Sequence, residues 1–242
     1  MTRTFATAKR VLQQLSHDHR SLALIVVLPS LLLLLFKYVF DGNPTTFSRI
    51  GPQMLGIFPF VIMFLLTSVT MVRERTSGTL ERLLTTPLKR GELILGYGIA
   101  FGLAALVQSL VSSVVAIWLL DMNVMTPWVV ILFAVVNAVL GTALGLLMSA
   151  FATTEFQAVQ FMPLVVIPQI LLCGLIAPRE SMAQVLEWAS NVMPLSYATD
   201  ALTLAILTPS MSSDMWVDLA VLIGCFAAAI ALASLTLRRR TA

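Results

Sequence analysis

Charge is scarce in this sequence. Only 11% of its 242 residues are Asp, Glu, Lys or Arg, whereas a soluble domain averages about 25%. Hydrophobic residues make up 58% of the chain, and the mean hydropathy is +0.93. The apolar residues are spread over the whole length, which leaves no stretch for a separate soluble domain. We therefore predict one all-α, polytopic membrane domain over residues 1–242.

Catalytic and metal-binding motifs are also lacking. The sequence contains no HExxH zinc motif, no G-x-S-x-G nucleophile elbow and no GxxxxGK[ST] phosphate loop. The two histidines, His17 and His19, lie in the N-terminal tail, and the two cysteines, Cys173 and Cys225, lie in apolar runs. The cysteine spacing fits neither a disulfide framework nor a metal site. His17-Asp18-His19 could bind a metal weakly, but the sequence favours a solvated linker there. We therefore expect no catalytic residues, no metal and no bound cofactor on this chain.

Six segments have the roughly 20 mostly apolar residues that a helix needs to cross a bilayer. They are residues 21–40, 53–72, 94–120, 127–150, 156–177 and 215–237. An apolar run preceded by basic residues is also typical of a signal peptide. No small-x-small cleavage site follows the first run, so we expect an uncleaved first span.

Lys and Arg are distributed unevenly between the two sides of the predicted spans. Twelve lie in the N-terminal tail, in residues 73–92 and at the C-terminus, and three (Lys37, Arg49 and Arg179) lie on the opposite side. Cytoplasmic loops of membrane proteins carry the excess of Lys and Arg. The sequence thus predicts a multi-pass protein of the cell inner (plasma) membrane with both termini and residues 73–92 in the cytoplasm.

Two segments outside the spans show helical spacing. In residues 1–19 apolar and polar side chains fall on different helical faces, which predicts an amphipathic helix on the cytoplasmic membrane surface; a disordered tail is the alternative. Residues 180–207 are too polar to span. They show helical spacing on both sides of Pro194, which predicts two short outer helices that re-enter or cap the outer leaflet. An ordinary extracellular loop is the alternative there.

Residues 73–92 are the most highly charged segment between two spans, and they read RERTSGTLERLLTTPLKRGE. Gly78 allows a turn, and Thr79 can cap a helix. Glu81 would lie in the first turn, where negative charge is favoured. Pro87 disfavours helical angles at the residue before it. The pattern predicts a cytoplasmic helix of about two turns along the membrane surface.

Ionisable residues are absent from deep inside the predicted spans, where the polar groups are neutral. Ion-coupled transporters need a titratable group near the midplane, so we expect any transport to be powered from outside this chain. The neutral groups either bond across helix interfaces or line a cavity for an uncharged or amphipathic solute. The candidate pathway residues are Phe58, Phe64, Asn137 and Gln169.

Two pairs of glycines have the spacing that lets membrane helices approach closely. They are Gly98/Gly102 and Gly141/Gly145. In a membrane, small residues at this spacing commonly mark helix–helix interfaces. The pattern predicts close packing without identifying the partner helices.

With these features in view, the chain resembles the membrane subunit of an ATP-binding-cassette (ABC) exporter of the type-2 permease family, which includes small bacterial drug, antibiotic and lipid exporters. The resemblance covers the full length. A weaker local match is M-P-L-S-Y at residues 193–197. The sharpest one is R-E-R-x-x-G-T-L-E-x-L-x-x-x-P, formed by Arg73, Glu74, Arg75, Gly78, Thr79, Leu80, Glu81, Leu83 and Pro87.

The resemblance implies that residues 78–87, including Leu84, form a coupling helix that docks on a separate ATPase subunit. Residues 73–75 would brace it against the N-terminal helix. ATP and Mg²⁺ would bind to the ATPase. A second permease, identical or paralogous, would complete a dimer with a pathway to which spans two and five contribute. Pro194 and Tyr197 would belong to an extracellular gate. The expected partners are thus the ATPase, the second permease, the lipid bilayer and a small amphipathic substrate, with no nucleic acid.

Two other functional classes are compatible with part of the pattern. A secondary transporter or facilitator would need no ATPase, and a facilitator would need no midplane charge either. A structural or assembly protein would move nothing, although the shaped loop at 73–92 and the helical outer segment argue against it.

Overall fold

The computed structural model describes residues 2–79 and 90–236, and the regular secondary structure of these residues is helical. The helices are α1 (Thr2–His17), α2 (His19–Val39), α3 (Pro44–Thr76), α4 (Arg90–Val114), α5 (Pro127–Ser149), α6 (Glu155–Leu172), α7 (Gln184–Val192), α8 (Pro194–Leu207) and α9 (Ser213–Thr236). α4 continues into a π-helical turn, Val115–Leu119, and a 3₁₀ turn, Arg179–Ser181, precedes α7.

Six of the described helices are long and apolar enough to cross a membrane. They are α2, α3, α4 with its π-helical turn, α5, α6 and α9. Their bounds lie close to the six predicted spans, with α3 as the exception. The predicted all-α, polytopic membrane fold with six spans is confirmed.

α3 extends beyond both predicted ends of the second span. It starts at Pro44, because proline at the first helical position has its φ already fixed and loses no hydrogen bond. It continues to Thr76, because no residue that breaks helices intervenes before Gly78, whose φ is +73°. Residues 73–75 are therefore the last turn of a helix. They do not start a loop, in contrast to the prediction from the sequence. Residues 80–89 of the predicted coupling segment lie outside the described residues.

α3, α4 and α5 form the centre of the bundle. The most apolar windows of these spans are 61%, 50% and 67% buried, against 17% for each of α2, α6 and α9. α3 makes its most extensive contact with α5. At that contact a Cβ added to Gly145 would lie 2.5 Å from the backbone oxygen of Phe64, and one added to Gly141 would meet the backbone oxygen of Phe60 in the same way. The Gly141/Gly145 pair is thus what lets the two backbones touch.

The two ends of the bundle carry different additional helices. α1 packs against α4, with Ala8 and Val11 buried and Phe5 62% exposed; we call this the α1 end. α7 and α8 connect α6 to α9 at the opposite end, which we call the far end. The helices predicted in residues 1–19 and 180–207 are present. That α1 lies on a membrane surface and that α7 and α8 re-enter the membrane both stay predictions.

Candidate functional site: the last turn of α3 and the far-end cavity

The two arginines in the last turn of α3 bind the region where α5 connects to α6. Arg73 donates from Nε and from Nη2 to the two carboxylate oxygens of Glu155, the first residue of α6, at 3.0 Å each. Arg75 donates from Nη1 to the backbone oxygen of Ala152 at 3.3 Å. The paired contact of guanidinium and carboxylate fixes the relative orientation of the two groups. This turn of α3 is thereby tied to the start of α6.

Glu74, between the two arginines, points to the other side and binds α1. Its carboxylate accepts a hydrogen bond from Nη2 of Arg10 at 3.3 Å, and its side chain is 4% exposed. The same nitrogen of Arg10 donates to the hydroxyl of Tyr97 on α4 at 2.5 Å. A buried carboxylate is tolerated when a cation and hydrogen bonds compensate its lost hydration. Glu74 therefore links α3 to α1 and α4.

Beyond this turn the chain leaves α3 through Gly78. Its φ of +73° is one that other residues rarely adopt, so the backbone conformation requires glycine here. Ser77 and Thr79 flank Gly78, with their hydroxyls 3.0 Å apart. The other predicted coupling residues, Leu80, Glu81, Leu83, Leu84 and Pro87, lie outside the described residues, and their role stays a prediction.

The four candidate pathway residues do not converge on the cavity described below. Phe64 and Asn137 are fully buried, Phe58 is half-buried, and Gln169 is 5% exposed. Asn137 donates from Nδ2 to the backbone oxygen of Gly56 at 2.9 Å, which joins α5 to α3. Gln169 donates to a carbonyl of its own helix. Any role of these four in a substrate pathway stays a prediction.

At the far end, Arg179 joins α7 and α8. Its guanidinium donates to the carboxylate of Asp200 and to the side-chain oxygen of Asn191, and it lies over the ring of Tyr197, 5.8 Å from the centroid. The hydroxyl of Tyr197 donates to the backbone oxygen of Asn191 at 2.7 Å. Pro194 is the first residue of α8. The two gate candidates, Pro194 and Tyr197, thus lie in a region fixed by one arginine.

Beside this region lies a cavity of about 990 Å³, the far-end cavity, bounded by the start of α3, the segment between α6 and α7, α8 and the start of α9. Burial raises the pKa of the Asp200 carboxyl in its wall, although the charge and hydrogen bond of Arg179 act in the opposite direction. Asp218 on α9 also lines the cavity and is 8% exposed. Asp218 was not among the residues predicted from the sequence, since it lies close to the predicted end of the last span. The available signal was a charged residue inside a predicted span.

Comparison with known proteins identifies related chains. The model of the family "ABC-2 type transporter" matches residues 2–207. The probable multidrug ABC transporter permease YbhS of Escherichia coli (strain K12) is 28% identical over 202 residues, which is 82% of this chain and 54% of the relative. The probable multidrug ABC transporter permease YbhR of the same organism is 26% identical over 168 residues, 68% of this chain and 45% of the relative.

A eukaryotic relative is ABC transporter G family member 20 of Dictyostelium discoideum, 27% identical over 164 residues, which is 66% of this chain and 22% of the relative. In all three relatives the matched region covers less than two thirds of their own length. The family model, in contrast, covers most of this chain, from α1 to the end of α8. The chain belongs to the ABC-2 type transporter family.

Proposed function

We propose that this chain is the permease subunit of an ATP-driven ABC exporter that moves a small hydrophobic or amphipathic molecule, such as a drug, antibiotic or lipid-like compound, out of the cell. Family membership and two relatives named as probable multidrug permeases support this proposal. The sequence has no phosphate loop of its own, so ATP and Mg²⁺ would bind to a separate ATPase subunit. A second permease, identical or paralogous, would complete the complex.

The observation that carries the proposal is the set of contacts made by residues 73–75. This single helical turn binds Glu155 at the start of α6, the backbone of Ala152, and Arg10 of α1. The segment that resembles a coupling helix starts three residues later, at Gly78. A force applied to that segment would therefore reach α1, α3 and α6 together. Such a junction suits a subunit that is driven by another protein.

The distribution of basic residues supports an orientation for the proposed complex. Both termini and residues 73–92 would face the cytoplasm of an inner-membrane protein, since twelve of the fifteen Lys and Arg residues belong to these parts. An ATPase could then dock at the α1 end. The far end, with α7 and α8, would face outward, where Pro194 and Tyr197 would contribute to an outer gate.

In the proposed mechanism, closure of the two ATPases displaces residues 78–87, and the last turn of α3 transmits this displacement. Because Arg73 holds α6 and Glu74 holds α1, the three helices move as one body. The substrate pathway closes on its cytoplasmic side and opens on its outer side, which is alternating access. Apolar contacts would supply most of the substrate binding, as suits an amphipathic molecule.

Charge reversal in the last turn of α3 and in the proposed coupling segment tests this function. The chain is co-expressed with a candidate ATPase subunit, and the variants Arg75→Glu and Glu81→Lys are compared with Glu180→Lys at the far end. We expect the first two to lower ATPase co-purification and ATP-dependent efflux, and the control to retain co-purification. Normal assembly and efflux in both docking variants would contradict the proposal. Transport by the purified chain without ATPase and ATP would favour a facilitator instead.

A further inference from the structure

The far-end cavity has the size of a small-molecule site. Its volume of about 990 Å³ lies at the upper end of the range of roughly 300–1,000 Å³ that is typical of ligand pockets. Apolar side chains such as Ile50, Leu175 and Leu204 form part of its wall. Gln53 on α3 donates to the hydroxyl of Thr203 on α8 at 2.6 Å, so two of the walls are joined directly.

Negative charge predominates in this cavity. Five carboxyl residues line it, against two arginines. Arg179 is already engaged by Asp200, Asn191 and the ring of Tyr197. Arg49 is exposed and lies within 4.0 Å of no carboxylate in the described part of the chain. The carboxyl residues are Glu180, Glu187, Asp200, Asp214 and Asp218.

Asp218 is the one buried carboxyl residue among these five. It is 8% exposed, and among residues 2–79 and 90–236 no donor forms a hydrogen bond or an ion pair with its carboxylate. The charges of Asp200 and Asp214 repel its own, and the attraction of Arg179 acts against them. A buried carboxylate without compensation is unfavourable. The site therefore favours a positively charged occupant.

The arrangement of the acidic side chains favours an organic cation over a metal ion. A metal ion needs several ligands that converge at about 2–2.6 Å. In the part of the chain that the structure describes, no three His, Cys, Asp or Glu side chains form such a group. A protonated amine, in contrast, can donate hydrogen bonds to one or two carboxylates while its apolar body fills the remaining volume.

We propose that the far-end cavity binds an organic cation, a small molecule with an apolar body and a protonated amine, and that Asp218 receives the ammonium group. The inference deepens the proposed function and rests on it for the role of the cavity in export. It identifies the substrates as cationic amphiphiles that occupy this cavity on their way out. Binding itself requires only this chain.

A matched pair of probes tests the proposal on the purified full-length chain in detergent. Radiolabelled 4-phenylbutylamine carries the charge, and 4-phenylbutanol has a similar shape without it. We expect the amine to bind about tenfold more tightly than the alcohol, as one additional charge-assisted contact would give, and Asp218→Asn to abolish this preference. Asp218→Asn should keep the thermal stability of the wild type, because it removes an unpartnered charge. Asp41→Asn, an exposed carboxylate beyond the cavity, should retain the preference.

Equal binding of amine and alcohol, or an unchanged preference in Asp218→Asn, would overturn the proposal. So would protection against thermal unfolding by Na⁺ or Mg²⁺ with no effect of the amine, which would indicate a metal site. These outcomes are distinct from failure of the proposed function. If the amine binds at Asp218 but no ATPase associates with the chain, the exporter proposal fails and the site stands. If ATP-driven efflux occurs but Asp218→Asn leaves amine binding intact, only the site is wrong.

Discussion

Glu74 and Arg10 form an ion pair that joins the end of α3 to α1, with 3.3 Å between Oε2 and Nη2. The two partners differ in exposure, since the side chain of Glu74 is 4% exposed and that of Arg10 is 34% exposed. Water can therefore hydrate the arginine if its partner is lost, but it can hardly reach the glutamate. Mutation of Arg10 and mutation of Glu74 should therefore destabilise the chain to different extents.

We predict that Arg10→Met destabilises the chain more than Glu74→Gln. Losing Arg10 leaves a buried carboxylate without its cation, which costs about 3–5 kcal/mol. Losing the charge of Glu74 removes a hydrogen bond to a charged group that remains partly hydrated, which costs about 1.5–3 kcal/mol. Chemical or thermal unfolding of the purified chain in detergent measures both values. Equal losses, or a larger loss in Glu74→Gln, would contradict the asymmetry.

The ion pair between Arg73 and Glu155 provides a comparison at the same end of the bundle. Its side chains are 62% and 42% exposed. Exposed pairs contribute about 0–1 kcal/mol, so Glu155→Gln should leave the unfolding transition almost unchanged. If the pair transmits force from the ATPase, the same variant should nevertheless reduce efflux. A loss of stability as large as that of Arg10→Met would mean that the pair is a structural element of the fold.

We predict opposite effects of alanine at two helical glycines. At Gly145 the new Cβ would meet the backbone oxygen of Phe64 at 2.5 Å, and a backbone atom cannot move away as a side chain can. Overpacking of this kind costs about 1–3 kcal/mol. At Gly102 nothing lies within 4 Å of the new Cβ, and alanine favours a helix by up to about 1 kcal/mol over glycine. Midpoint shifts of the same sign in both variants would refute the assignment of the α3–α5 contact.

A similar contrast distinguishes two buried amides. Among the described residues, both amide atoms of Gln108 are buried without a hydrogen-bond partner, whereas Asn137 donates to the backbone oxygen of Gly56. Removing an unsatisfied polar group relieves a penalty of about 1–3 kcal/mol, so Gln108→Leu should be neutral or stabilising. Asn137→Leu also removes a buried oxygen without a partner among the described residues, but it loses a bond between helices worth about 1 kcal/mol, so it should be less favourable than Gln108→Leu. Unfolding midpoints in one detergent test the order, and a lower midpoint for Gln108→Leu than for Asn137→Leu would contradict it.

Asp200 should give the stability of the far end a dependence on pH. Burial raises the pKa of its carboxyl, against the effect of Arg179, so the folded chain favours the protonated acid. This contribution is complete below the unfolded pKa of about 3.9 and is lost as the pH rises through the raised folded value. The melting temperature of Asp200→Asn relative to the wild type should therefore increase from about pH 4 to pH 7. Asp41→Asn controls for removal of a carboxyl at the same end, and a constant difference for Asp200→Asn would refute the prediction.

The spans could be predicted from the sequence because apolar length is a property of consecutive residues. The ends of α3 could not be predicted in the same way. Hydropathy falls at Arg73, yet the helix continues to Thr76, because Arg and Glu are good helix formers and the breaking residue is Gly78. The fall in hydropathy at Arg73 therefore marked the predicted end of the span and not the end of the helix.

Contacts between residues that are far apart in the sequence could not be predicted from the sequence. Arg10 and Glu74 are 64 positions apart, and nothing local indicates that they meet. The two glycine pairs share one spacing, but only Gly141 and Gly145 lie against another backbone, while Gly102 has open space. Asp218 was visible as a charge in the predicted last span but was not among the predicted site residues. Its burial depends on α8 and on the segment between α6 and α7, which the pattern of α9 does not contain.

The uninterrupted length of α3 has a mechanical consequence. Its 33 residues correspond to a rod of about 50 Å, with Gln53 in the wall of the far-end cavity and Arg73 at the other extremity. A lever of this length turns a small tilt at one extremity into a displacement of several ångströms at the other. The interior prolines Pro52 and Pro59 are the positions at which a bend in such a helix is expected. One continuous helix therefore joins the far-end cavity to the last turn of α3.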